Sequence, residues 1–111
     1  MERKITIVLM VSFLLLSCGK EENEIISFSQ DIAPFLENTC TACHYGGRQE
    51  PNLHEEVSYN QLTEGGYVTP GKANQSAIVI QLENGHPENI DIPSNQIKIL
   101  KEWINQGADN N

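Results

Sequence analysis

The sequence predicts a small all-α domain, on three observations. Apolar residues recur at helical spacing near both ends of the domain, at Ile32, Phe35 and Leu36 and again at Ile97, Leu100 and Ile104. The stretch between them is punctuated by Gly46, Gly47, Pro51, Gly65, Gly66, Pro70 and Gly71, which reads as long loops rather than a strand ladder. A chain of 111 residues, less a leader, leaves room for one domain and no second.

The leader comes first. Arg3 and Lys4 precede an apolar run from Ile5 to Leu16, broken only by Thr6 and Ser12. That run is too short for a comfortable lone membrane span and is apolar on every face, so residues 1–17 read as a secretory signal. Leu15, Leu16, Ser17 and Cys18 resemble the lipobox of bacterial lipoproteins, which implies removal of 1–17 and acylation of Cys18. Buried acyl chains contribute about 0.8 kcal/mol per methylene, enough for several chains to hold a protein at a membrane. Residues 18–26 then read as a lipidated, solvated tether, because Gly19 to Glu24 carry no apolar period. Lys20-Glu21-Glu22 resembles a surface-export signal of lipoproteins in one group of Gram-negative bacteria, and no Asp follows Cys18. The expected location is therefore the cell envelope, at the outer membrane, periplasmic or surface-exposed.

The domain is expected over 27–108. Ser29 and Asp31 are candidate caps of a first helix, with Pro34 tolerated in its first turn. A short helix is expected near Ser58 to Leu62, and a turn at Pro70-Gly71. Ser76 is placed to cap a helix Ala77 to Glu83 ended by Asn84-Gly85, although the β-branched run Ile78-Val79-Ile80 also permits a strand. Ser94 is expected to cap the last helix, with Trp103 beside its apolar stripe and Gly107 at its end. Two or three helices of this size make a thin core, which a buried cofactor would complete.

Cys40-Thr41-Ala42-Cys43-His44 carries the chemistry. Two thiols three positions apart on one turn can each add to a vinyl group of one porphyrin edge, and the next histidine then ligates the iron. This is the C-x-x-C-H signature of one covalent haem c. A zinc site would need a distant fourth ligand, a thioredoxin-like dithiol a βαβ context, and a plain disulfide leaves His44 unexplained. Ser29 to Leu36 followed by Cys40 to His44, Gly65 to Gly71 with Ser76, and Trp103 to Ala108 together resemble the planctomycete-type c-type cytochromes, a branch of the class I fold. The resemblance implies a cytochrome c-like fold whose N- and C-terminal helices cross beside the haem.

Such cytochromes commonly supply a methionine as the second axial ligand. Here the only methionines, Met1 and Met10, lie in the leader. His86, between Gly85 and Pro87 ahead of the last helix, is the nominated distal ligand; His54 and a vacant site are the alternatives. Trp103 is a candidate haem contact through its indole N–H, and Arg48 a candidate partner for a propionate. No nucleophile–base pair stands out, so the expected role is an electron carrier rather than an enzyme. A haem enzyme or gas sensor with an open or displaceable sixth site is the alternative. Loss of Glu2, Arg3 and Lys4 with the leader changes the net charge from −8 to −9. That surface repels nucleic acid and would steer a basic redox partner.

Overall fold

The structure, a computed structural model, describes residues 24–111. The leader and Cys18 lie outside the described residues. Four α-helices and no strand are found among those described, so the all-α expectation holds. A π-helical turn over Phe28–Ile32 runs directly into α1 (Ala33–Thr39); α2 (Glu55–Glu64), α3 (Ala77–Glu83) and α4 (Ser94–Asn105) follow, with a 3₁₀ turn at Ala73–Gln75.

The first helical stretch starts earlier than its sequence suggests. Ser27, not Ser29 or Asp31, is the cap: its Oγ accepts from the Gln30 N–H at 3.1 Å. Asp31 instead reaches back to accept the Ser27 N–H at 2.8 Å, a reciprocal arrangement like a capping box. Pro34 sits in the first turn of α1, where its missing N–H costs nothing. Ile32 and Leu36 are fully buried, as their spacing predicts.

The domain also begins before Ser27. Ile26, assigned by sequence to the tether, is buried, and its N–H donates to Gln106 Oε1 at 2.9 Å. Asn111 ties down the same segment, accepting from the Phe28 N–H and donating to the Ile26 carbonyl. Packing therefore extends on both sides of 27–108.

α2 is longer than the expected Ser58 to Leu62. It buries only Ser58 and Leu62, and so shows little of the periodicity that marks an amphipathic helix. The turn at Pro70-Gly71 is present, with the Lys72 N–H bonded to Thr69 O at 2.9 Å and Gly71 at φ +81°, a conformation that an L side chain would strain. α3 is a helix rather than a strand: Val79 is buried while Ile80 faces solvent. Ser76 precedes it in extended conformation, but its buried hydroxyl bonds back to Lys72 O and Thr69 N instead of capping. Pro93 occupies the cap of α4, one residue before the expected Ser94, and Leu100, Trp103 and Ile104 form its buried stripe.

α4 packs against the first helical stretch through an aromatic cluster. The Phe28 and Trp103 rings lie 5.1 Å apart, and Tyr59 of α2 meets Phe28 edge-on at 5.3 Å. Offset and edge-on pairs of this kind add about 0.5–1.5 kcal/mol each beyond the area they bury. This cluster joins the start of the domain to its last helix, and the loops carrying the histidines hang from that frame.

Candidate cofactor site

Cys40 to His44 form one more turn stacked on α1. The Cys40 N–H bonds to Leu36 O at 2.9 Å, and the Cys43 and His44 N–H groups both bond to Cys40 O, at 3.2 and 2.9 Å. Thr41 strengthens the junction, its hydroxyl donating to Glu37 O. Both thiols and the imidazole are thus presented from a single turn. The thiols are not bridged to each other; Cys40 is half-buried and Cys43 exposed. Burial pushes the Cys40 thiol up to about 11.

His44 is held on three sides. Its N–H and carbonyl both take part in backbone bonds, the latter with the Leu53 N–H at 2.9 Å. Its ring Nδ1 lies 3.2 Å from the carbonyl oxygen of buried Pro51. A carbonyl only accepts, so the proton belongs on Nδ1 and the lone pair of Nε2 is left for a metal.

His86 reaches the same place from the other half of the chain. Asn84 and Gly85, the latter at φ +92°, end α3, and the His86 N–H closes the turn on Gln81 O at 3.0 Å. The ring centres of His44 and His86 are then 6.0 Å apart, with their planes at 73°. Two metal–imidazole bonds of about 2 Å each, plus the distance from nitrogen to ring centre on both sides, sum to about 6 Å.

The other candidates are placed elsewhere. His54 caps nothing with its side chain; its Nδ1 lies 3.0 Å from Glu37 Oε2. The second oxygen of Glu37 accepts the Glu55 N–H at 2.7 Å, so α1 caps α2 through this carboxylate. Those bonds, the one from Glu55 foremost, hold Glu37 below its ordinary value of 4.5. Glu56 brings a third ligand atom within 4.8 Å of the pair, a grouping without cysteine. Sequence reasoning missed the Glu37–His54 pair because its members lie seventeen positions apart.

Trp103 is buried in the aromatic cluster, and its indole N–H donates to Asp109 O at 2.8 Å. Arg48 lies over the Tyr45 ring, 5.9 Å from its centre, on an exposed loop.

Beside His86 is a cleft of about 460 Å³ lined by Leu82, Ile90, Ile92 and Ile97, with Glu88 and Asp91 among its polar residues. Compared with family models, curated proteins and solved structures, the chain matches none of them.

Proposed function

We propose that this chain is a monohaem c-type cytochrome of cytochrome c-like fold that carries single electrons, held to a membrane by acylated Cys18. The observation that carries the proposal is the convergence of Cys40, Cys43 and His44 on one turn with the His86 ring 6.0 Å from that of His44. The residues present fit a haem. Two unbridged thiols suit thioether attachment, and the imidazole beside them has its Nδ1 occupied and Nε2 free. Half-buried Phe35, Tyr67, Ile78 and Leu82 supply apolar surface packed on the core.

In this reading Cys40 and Cys43 would hold the haem covalently, and His44 and His86 would bind its iron. The bound haem supplies reversible ferric–ferrous chemistry. The Pro51 carbonyl fixes the tautomer and orientation of His44. His86 contributes a second strong nitrogen donor, which favours ferric iron and a lower potential than a methionine would. Residues 1–17 direct export, Cys18 anchors the domain at the outer membrane, and the acidic surface draws a basic redox partner.

The test is production of the full chain in a host equipped for haem c attachment. The purified protein should be red, retain its haem under denaturing electrophoresis, and lose that retention in a Cys40→Ser, Cys43→Ser variant. A colourless protein, or one that binds zinc in place of haem, overturns the proposal.

A further inference from the structure

The two histidines are held very differently. His44 is fixed through its N–H, its carbonyl and its ring. His86 has one backbone bond, to Gln81 O, and among the described residues no hydrogen-bond partner meets its exposed ring. The segment that carries it, from Gly85 to Pro93, is tied down sparsely. Between the bonds that end α3 and those by which Pro93 O starts α4, accepting the Gln96 and Ile97 N–H groups, it has a single long backbone bond, from the Ile90 N–H to Pro87 O at 3.4 Å. Ile90 is 44% exposed, so its side chain pins the segment weakly. Few buried apolar contacts and exposed backbone bonds are the physical marks of a segment that opens locally at low cost.

That segment also forms one side of the cleft of about 460 Å³. The cleft brings Leu82, Ile92 and Ile97 to the neighbourhood of the His86 ring, and its charged residues are Glu88 and Asp91, with no lysine or arginine. The lining mixes these apolar side chains with Asn89 and the two carboxylates, which repel an anion and leave a small uncharged molecule unhindered.

We infer that His86 is a releasable ligand, and that its departure admits a small neutral diatomic of the carbon monoxide or nitric oxide class beside the cleft. The inference rests on the haem reading above and deepens it. In the exchange, His86 would give up one bond to iron and the incoming ligand would form one, with no net transfer of electrons. The closed form lowers apparent affinity by the fraction of molecules in which His86 is released.

The experiment uses reduced holoprotein mixed with carbon monoxide and followed in the visible spectrum. Wild type should bind it, with a rate that reaches a plateau as carbon monoxide rises, because release of His86 becomes limiting. His86→Ala should bind at least about tenfold faster, with no plateau, since it lacks the closed form. Azide added to the ferric wild-type protein should change little. A red, low-spin wild type whose spectrum ignores saturating carbon monoxide overturns this inference and leaves the electron-carrier reading standing. A chain that carries no haem overturns both. Should His86→Ala fail to load haem, the wild-type rate law decides alone: a plateau supports release, and absence of binding overturns it.

Discussion

The rings of His44 and His86, forty-two positions apart in sequence, stand 6.0 Å apart with their planes at 73°. One is delivered by the turn that continues α1 and the other by the turn that ends α3. A change at His86 therefore acts on one side of the proposed iron site and leaves the attachment turn intact. His86→Met should keep covalent haem and raise the reduction potential by on the order of 0.1 V, since axial ligands command a span of about 0.8 V. His86→Ala should turn the ferric low-spin spectrum high-spin. Potentiometry with parallel absorption spectra checks both, and an unchanged spectrum in His86→Ala would place another ligand on the iron.

The two thiols of the proposed attachment turn differ in their surroundings. Burial lifts Cys40 from 9.0 to about 11, so near neutral pH its thiolate fraction is about a hundredfold below that of an ordinary thiol. Cys43 is exposed. In haem-free protein, iodoacetamide should label Cys43 before Cys40, and the lag should shrink as pH rises toward 11. Mass spectrometry of timed samples reads the order. Equal labelling at pH 7 would mean that the Cys40 side chain is not shielded in the haem-free fold.

What could be read from sequence was local. The end of α3 follows from Asn84-Gly85, and the buried stripe of α4 from the spacing of Leu100 and Ile104. Cys40 to His44 are contiguous, so one turn of helix decides their relation. What could not be read depends on pairs distant in the chain. Ser27 caps the first turn where Ser29 and Asp31 looked equally suitable, and Ser29 is diverted to the carbonyl of Asn111. α2 owes its start to Glu37 of α1, and no spacing rule links residues eighteen positions apart. The Pro51 carbonyl at His44 and the Asp109 carbonyl at Trp103 are backbone atoms, whose partners leave no trace in residue identity.

Glu37 links the helix that carries the attachment turn to α2, and its carboxylate is held below its ordinary value of 4.5 by the Glu55 N–H and by His54. A carboxyl lowered on folding contributes stability that is fully present above its unfolded value. That contribution is lost as pH falls through the depressed value in the fold. Glu37→Gln should lower the melting temperature at pH 6, and the gap from wild type should close as pH drops below about 4. Thermal melts across pH 2.5–7, at the same salt concentration throughout, test this. A gap that widened on acidification would contradict the assigned direction.

Ser58 offers a change in the opposite sense. It lies on α2 with 0% exposure, and its hydroxyl has no hydrogen-bond partner among the described residues. Burying an unpartnered hydroxyl costs about 1–3 kcal/mol, whereas alanine at the same helical site leaves only an oxygen-sized space and has the better helix propensity. Ser58→Ala should therefore stabilise the haem-free domain by about 1 kcal/mol, a rise of about 4–8 °C in melting temperature for a domain of this size. The same comparison in haem-loaded protein separates two origins of the orphaned hydroxyl. If it is a packing compromise of the chain alone, the gain should be equal in both forms. If it is kept for the cofactor or an ordered water beside it, alanine should stabilise the haem-free form and destabilise the loaded one.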